Sequence, residues 1–551
     1  MGLAPVKAWP LAWIAMIPLW QLAHTAIAGR CRLRQALLLC AVWGVGYHGT
    51  ALAWITGIHP MMWMGVPWLG SLAIALFSWA FITLWGAAIG ITWLALIVTI
   101  NRVMLSRYRL ISEAVQILLG TALWCAVEWV WSKGPLYWTS LSYTQSPGNL
   151  WSLQLGQLSG PITLTASIVA VNGFLSYSLR SHSRQATDSR QVPAKGLDTN
   201  QRVSAASERI DKTTIDKTTI GKIAVGKIAV GKTPPGWIWA AAIFAAIHLI
   251  GFGLYSYPLA DNPQRSLSVG LIQGNIPTAE KLSAIGVQAS RKVYRQGYEA
   301  LAQQGVDLVL TPEGSIPQVW DSFLQDQNLF QQAVIRRGVP LILGTFVHRE
   351  IDNSQTPLTQ SLITLAPTGE IAGRYNKVKL VPLGEYIPFE NILGGIVGRL
   401  SPFGASMVPG DFDQRLETPL GPVAAGICYE SAFTSLFRQQ VRNGGEVIFT
   451  ASNNDPYPPR QMMQHHAQDV MRAVETNRWA ARVTNTGISG VVDPKGRTIW
   501  MSKPNEYGLY VADVFRRRSQ TLYVRFGDWL TPLLLIMALI ALIAAPRRLS
   551  E

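Results

Sequence analysis

The ten residues GPVAAGICYE, at 421–430, alternate small and apolar side chains and then deliver a thiol, Cys428, followed by Tyr429, Glu430 and the helix-like run SAFTSLFRQQ. This pattern predicts a strand that ends in a cysteine where a helix begins. Backbone N–H groups and the positive end of a helix dipole gather at such a turn, and both favour the thiolate that attacks carbonyl carbon. A free cysteine is also a common core residue, so its meaning depends on its partners. Glu313, in VDLVLTPEG, stands one residue after Pro312, which stops a buried strand and brings the carboxylate out at its tip. Lys377 lies in RYNKVKLVPLGEYIP, and Glu385 comes eight residues later in the same segment. Singly these read equally well as a surface carboxylate, a solvated lysine and a turn glutamate. Together with Cys428 they supply nucleophile, general base and cation, the set that acyl transfer through a thioester needs.

These residues need a rigid α/β frame, and residues 266–516 have its pattern. Short apolar β-rich runs recur there: SLSVGLIQGN, VDLVLTPEG, VPLILGTFV, SLITLAPTG, GPVAAGICY, EVIFTASN, ARVTNTGISGVVDPKG and GLYVADV. They alternate with helix-like runs at 282–304 and 461–481. Two groups of strands imply a pair of sheets with helices outside, an α-β-β-α sandwich, rather than one open sheet.

The rest of the 551 residues is of a different kind. Only 14% of the chain is charged, against about 25% in soluble proteins. Apolar runs at 9–28, 35–55, 70–99, 111–131, 160–179, 236–257 and 527–545 match the roughly 20 residues of a membrane-crossing helix. That gives five spans within 1–179, a sixth before the α/β domain and a seventh after it. The third is read as one long span, because no turn cluster divides it. Arg30, Arg32 and Arg34, then Arg102, Arg107 and Arg109, the basic tract after the fifth run, and Arg547 and Arg548 fall on one side when the runs are threaded in turn. By the positive-inside rule that side is the cytoplasm, with the N-terminus and the α/β domain outside. The net charge of +15 is thereby assigned to topology and anionic lipid, not to nucleic acid. Tryptophans 54, 63, 68, 129, 131, 138 and 151 read as interfacial belts. Cys31, Cys40 and Cys125 lie in or beside apolar runs and suggest neither disulfides nor a metal site. Residues 180–235 contain four five-residue units, DKTTIDKTTIGKIAVGKIAV, whose period fits neither helix nor strand and predicts a disordered cytoplasmic loop.

TPEGS around Glu313, YNKVKLVPLGEYIP around Lys377 and ICYES around Cys428, in that order and between apolar spans, resemble the nitrilase (carbon–nitrogen hydrolase) superfamily and, more closely, its bacterial apolipoprotein N-acyltransferase family. The resemblance continues through TASNND, MRAVETNRWAARVTNTGISGVVDPKG and LYVRFGDW, and takes in the multispan half less specifically. It implies a catalytic triad of Glu313, Lys377 and Cys428, with Glu385 as a supporting carboxylate, Tyr429 and Glu430 lining the site, and no cofactor or metal. It also implies the partners: a membrane phospholipid gives the acyl chain, and the α-amino group of the diacylglyceryl-cysteine of an apolipoprotein accepts it. The location implied is the bacterial inner membrane, with the catalytic domain on the periplasmic side. Two features depart from the family's pattern. Members usually begin with one more span, so this sequence opens at the family's second helix. The aromatic loop after the strand that follows the cysteine reads NNDPYPPRQMMQHH here, with Tyr457 in place of the aromatics. His465 and His466, adjacent on a helix and so about 100° apart, suit no common metal and are read as surface or loop-contact residues.

Other chemistries use the same residues. A membrane-tethered amidase would let water take the place of the acceptor amine, although it would have no use for a multispan half. A transporter or receptor with a binding domain outside is disfavoured, because Glu113 and Glu128 lie near the ends of their span and no other charge marks an ion pathway.

Overall fold

The structure, a computed structural model, describes residues 3–6, 8–107, 112–190, 235–320, 325–349, 357–382, 384–386, 407–455 and 457–545. Among them five helices are long and apolar enough to cross a membrane: Trp9–Ile27, Trp68–Met104, Glu113–Trp131, Ile162–Arg180 and Gly236–Ser256. The third apolar run is one helix, Trp68–Arg107, of 40 residues, or about 60 Å, twice the thickness of a hydrocarbon core. Two expected spans differ. The helix Leu33–Ala51 is long enough, but its Arg34, Gln35 and His48 leave it less apolar than the five. The last helix covers Leu530–Ile543, 14 residues against the nineteen expected. Large apolar side chains such as Leu38, Leu39, Phe77, Phe81, Leu249 and Ile540 point outward, as lipid-facing residues do. Inside the bundle Trp20, Trp93 and Trp124 pack edge to face. Of the loop expected over 180–235, residues 180–190 instead continue the helix Ile162–Arg190; residues 191–234 lie outside the described residues.

The α/β part has eleven strands among the described residues: β1 (Ser266–Gln273), β2 (Leu308–Leu310), β3 (Leu341–His348), β4 (Leu358–Leu365), β5 (Ile371–Asn376), β6 (Ala424–Ile427), β7 (Ile448–Ser452), β8 (Ala480–Thr484), β9 (Gly490–Val492), β10 (Thr498–Met501) and β11 (Gly508–Phe515). They form two sheets, ordered β11-β1-β2-β3-β4-β5 and β10-β9-β8-β7-β6. β1, β2 and β3 run parallel, as do β6, β7 and β8, while β11, β4, β5, β9 and β10 pair antiparallel. One buried layer joins the sheets, with Leu271, Leu310 and Leu362 meeting Ile427, Phe449 and Val483. Helices Ala284–Gln303 and Gln325–Arg337 cover the first sheet, and Thr434–Arg442 and Pro459–Thr476 the second, which is the α-β-β-α sandwich expected. The helix-like run at 461–481 stops at Thr476, where Asn477 turns left-handed (φ 54°), and its last residues belong to β8.

The second sheet's helices also pack against the membrane half. Phe433, Leu436, Met471 and Val474 share a buried cluster with Trp54, Tyr137, Trp138, Tyr143 and Leu153. Trp54 and Trp138 both donate through Nε1 to Gln464 Oε1 (3.1 and 2.8 Å), and Gln464 Nε2 donates to the Ala51 carbonyl at 3.1 Å. These two tryptophans are therefore not interfacial: they are 9% and 7% exposed, whereas Trp63, Trp68, Trp129 and Trp151 are 42–50% exposed. An indole between two domains needs a partner for its N–H, and Gln464 supplies one for both.

The parallel arrangement brings the C-terminal ends of β2, β3, β6 and β7 to one end of the sandwich, and β5, two antiparallel steps from β3, ends there too. The chain just beyond β2 is pressed on β3 so closely that a Cβ on Gly344 would stand 2.0 Å from the Pro312 carbonyl oxygen. Gly344→Ala should therefore destabilise the α/β domain by at least about 1–3 kcal/mol, since backbone cannot yield as a side chain does. Thermal unfolding of the purified protein in detergent measures it, and an unchanged melting temperature would contradict the packing.

Candidate active site

β2 ends on Leu310, and Thr311 makes the last ladder bond, its N–H to the Ile342 carbonyl at 3.0 Å. Pro312, with no N–H, stops the pairing. The turn that follows is fixed by Thr311 Oγ1 and Ser315 Oγ, 2.8 Å apart, and by Ser315 Oγ donating to the Gly344 carbonyl at 3.0 Å. Glu313 is thereby set at the strand tip, facing the end of β5. There Lys377, completely buried, donates through Nζ to Glu313 Oε1 (2.9 Å), Glu385 Oε1 (2.5 Å) and Gln360 Oε1 (3.2 Å). An ammonium has three protons, and all three are used. The remaining carboxylate oxygens take main-chain donors: Asn453 N–H to Glu313 Oε2 at 2.7 Å and Val381 N–H to Glu385 Oε2 at 2.9 Å. Burial works against the Lys377 charge, but the Glu313 and Glu385 carboxylates outweigh it and raise its pKa well above the usual lysine range. Burial pushes Glu385 up, with Lys377 opposing.

Cys428 follows β6 in a left-handed conformation, φ 51°, which for a residue with a Cβ is strained and recurs at functional sites. Its thiol donates to the Asn453 carbonyl at 3.7 Å. The expected helix dipole is weaker than the sequence suggests, because Cys428 starts a five-residue 3-10 turn, Cys428–Ala432, and the α-helix begins only at Thr434. Burial pushes the Cys428 thiol up, the Glu313 charge adds to this, and Lys377 only partly opposes it. The resting nucleophile is thus a thiol that needs a base, not a ready thiolate.

Glu430 holds the two halves of the site together. It is fully buried and accepts from Val378 N–H (2.6 Å) and Lys379 N–H (3.0 Å), just beyond Lys377, and from Ile427 N–H (2.7 Å), just before Cys428, with Tyr375 O–H at 2.9 Å. Burial raises its carboxyl to about 7, with the three main-chain donors and Lys377 opposing. Its place is a brace between β5 and β6. Tyr429 points to the membrane half: its hydroxyl donates to the Pro135 carbonyl (2.7 Å) and accepts from Tyr137 N–H (3.0 Å), and its ring stacks on Trp138 at 5.9 Å. His465 and His466 are not surface residues; they are 1% and 2% exposed, because the helix Pro459–Thr476 is buried on both faces, between sheet and membrane half. His465 Nε2 donates to the Cys428 carbonyl at 2.7 Å and its Nδ1 accepts from Asn454 Nδ2 at 3.0 Å.

Glu313, Lys377 and Glu385 thus meet in one hydrogen-bonded cluster that acts electrostatically on Cys428. Sequence reasoning passed over Gln360 and Asn453, and read His465 as a surface or loop-contact residue. Gln360, polar within the apolar strand TQSLITL, carried a visible signal; Asn453, acting through its main chain, carried none. Among the described residues no group of three His, Cys, Asp or Glu side chains can hold a metal ion.

The family model of carbon-nitrogen hydrolases matches residues 268–522, and that of the apolipoprotein N-acyltransferase N-terminal domain matches residues 1–174. A protein of Nostoc sp. named apolipoprotein N-acyltransferase is 44% identical over 540 residues, covering 97% of this chain and 95% of its own. This chain belongs to the apolipoprotein N-acyltransferase family. A Synechocystis sp. relative of the same name is 41% identical over 98% of each chain, and one from Thermosynechococcus vestitus is 40% identical over 98% of this chain and 91% of its own. The amidase alternative gains nothing from these likenesses, since the N-acyltransferase model covers the multispan half as well.

Glu430→Ala should leave the N–H groups of Val378, Lys379 and Ile427 without an acceptor, at about 1–3 kcal/mol each. The expected result is loss of the folded site in thermal unfolding, and a fully stable variant would remove the brace. His465 predicts a pH effect. Burial, with Arg482 adding and Asp469 opposing, lowers its pKa to about 3, so the folded state resists a proton that the unfolded chain takes up near pH 6.5. Its contribution is complete above that pH and is lost progressively as pH falls towards 3, by up to about 1.4 kcal/mol per pH unit. Unfolding followed from pH 7 to 4.5 should show wild type losing stability faster than His465→Gln; parallel curves would mean His465 ionises freely.

Proposed function

We propose that the protein transfers a fatty acyl chain from a membrane phospholipid to the α-amino group of an apolipoprotein's diacylglyceryl-cysteine, through a thioester on Cys428. The observation that carries this is the buried Lys377 ammonium bonded at once to Glu313 and Glu385, beside a strained cysteine whose next residue docks on the membrane half. Glu313 takes the thiol proton as sulfur attacks the ester carbonyl carbon. The C–O bond of the tetrahedral adduct then breaks, and Glu313 returns the proton to the departing glycerol oxygen, releasing lysophospholipid. The acceptor amine next attacks the thioester, its proton passes by Glu313 to the leaving sulfur, and the amide departs. Lys377 stabilises the oxyanion in both steps. With its three protons engaged at rest, it gives up the longest bond, the 3.2 Å one to Gln360, to do so. Glu385 keeps the ammonium aimed, Glu430 holds the strands in register, and Tyr429 sets the turn against the bilayer half.

A membrane base suits both substrates, because withdrawing an acyl chain from a bilayer costs about 0.8 kcal/mol per CH₂. The basic segments around Arg30, Arg32, Arg34 and Arg102 support the reading in which that side faces the cytoplasm and the α/β domain lies on the periplasmic side of the inner membrane.

Incubation with a phospholipid carrying an alkyne-tagged acyl chain, followed by gel detection and peptide mass spectrometry, tests the first step. Wild type should carry the tag on Cys428, Cys428→Ala none, and Glu313→Gln should acquire it at least about 100-fold more slowly. A diacylglyceryl-cysteine peptide should then discharge the tag onto its own amine. A labelled, folded Cys428→Ala would sink the thioester, and discharge by water as fast as by peptide would turn the reading to a hydrolase.

A further inference from the structure

The site holds a second lysine that this mechanism does not use. Lys281 ends the one-turn helix Thr278–Lys281 after β1, is 4% exposed, and donates through Nζ to the Glu313 main-chain carbonyl at 2.9 Å. We propose that Lys281 is a positioning residue of the catalytic site, a second buried ammonium that holds Glu313 by its carbonyl and balances the carboxylate pair from which the base acts on the thiol. The inference rests on the role given to Glu313 above.

Charge makes the argument. Glu313 and Glu385 bring two negative charges and Lys377 one positive, so this buried trio carries one uncompensated negative charge. Lys281 brings the sum over these four groups to zero, with the Asp455 carboxylate acting on Lys281 in addition. An uncompensated charge is expensive in a buried site and is avoided by protonation, which here would disable the base. Burial pulls Lys281 down to about 8, with Glu313 and Asp455 holding it up, so it remains mostly cationic at neutral pH. Among the described residues the titratable groups that face Glu313 are Lys377 from the end of β5, Glu385 from the following loop, Cys428 from its turn, Tyr457 beyond β7, and Lys281.

Geometry holds Lys281 in place from several directions. Thr278 N–H donates to Asp455 Oδ2 at 2.8 Å, Asn453 Nδ2 to Thr278 Oγ1 at 2.8 Å, and Asn453 N–H to Glu313 Oε2 at 2.7 Å. Lys281, Glu313, Asn453 and Thr278 thus form a closed ring about the base. Gly314, in a left-handed conformation (φ 53°), leaves its open side to the ammonium: a Cβ there would lie 3.6 Å from Lys281 Nζ and 3.9 Å from Gln360 Nε2. A lysine needed only to satisfy a carbonyl could be replaced by a neutral donor, whereas one that balances charge could not.

The test is the pH dependence of Cys428 alkylation by iodoacetamide, read by peptide mass spectrometry on the full-length protein in detergent between pH 5 and 9. Lys281→Gln keeps a donor and loses the charge. It should move the acid limb up by about one pH unit, so that alkylation on the limb is about tenfold slower, and recover wild-type reactivity on the plateau. Lys281→Arg should keep the wild-type limb. Lys281→Met is the second neutral variant, with melting temperatures identifying which of the two is folded. A folded neutral variant with an unmoved limb, or Lys281→Arg shifted as far as Lys281→Gln, would overturn the proposal. Alkylation needs no acyl donor, so a shifted limb in a protein that fails to transfer acyl chains would remove the functional reading and leave this one standing.

Discussion

A fully buried ammonium must find an acceptor for each of its protons, and the architecture of this site follows from how Lys377 meets that demand. Glu313, Glu385 and Gln360 come from three different segments: the tip of β2, the loop after β5, and the start of β4. Neither carboxylate can move without leaving a charge unpaired in low dielectric, which is far more costly than losing the neutral contact to Gln360. The first sheet is therefore fixed at its working end by electrostatics, while its middle is fixed by ordinary apolar packing.

The nucleophile belongs to the other sheet, and apolar packing between sheets cannot set its position finely enough for chemistry. Glu430 does so by accepting main-chain donors on either side of the gap, and His465 holds the carbonyl of the cysteine itself. A second set of bonds fixes the same turn to the membrane half. Glu128, buried near the end of its helix, accepts from Tyr137, Thr165 and Ser140, and the Tyr137–Tyr143 segment meets Tyr429 by main chain and Ala432 by the Tyr143 hydroxyl. A carboxylate that resembles an unremarkable helix-end residue in sequence thus organises the surface on which the catalytic turn sits.

Much of this was legible before any coordinates. Pro312 before Glu313, the small-residue strand before Cys428, and the alternation of runs were sufficient for two sheets with chemistry at strand ends. β5 and β10 were missed because IAGRYN and TIWM are short, half-exposed edge strands with little periodicity. Trp54, Trp138 and His465 were placed wrongly because each packs against the other half, hundreds of residues away, which no local pattern reports; His466 is covered by its own sheet, its Nε2 lying 2.8 Å from Thr498 Oγ1. The helix dipole expected beside Cys428 is weaker than its sequence suggests, because a run of helix-favouring residues does not reveal that its first turn is 3-10.

The shared face between the second sheet's helices and the membrane half bears on how such a chain can be divided. Tyr429 stacks its ring on Trp138 and meets Phe433 edge to face, and Gln464 spends its amide on two indoles and a carbonyl of the other half. A fragment cut free near residue 260 would expose that aromatic surface directly beside the nucleophile, and would be sticky where it most needs to be orderly. Chimeras between homologues face the same limit: Trp54, Trp138 and Gln464, and Tyr137 with Tyr429, have to be inherited as matched sets, so the natural unit of recombination is the whole chain and not its two recognisable halves.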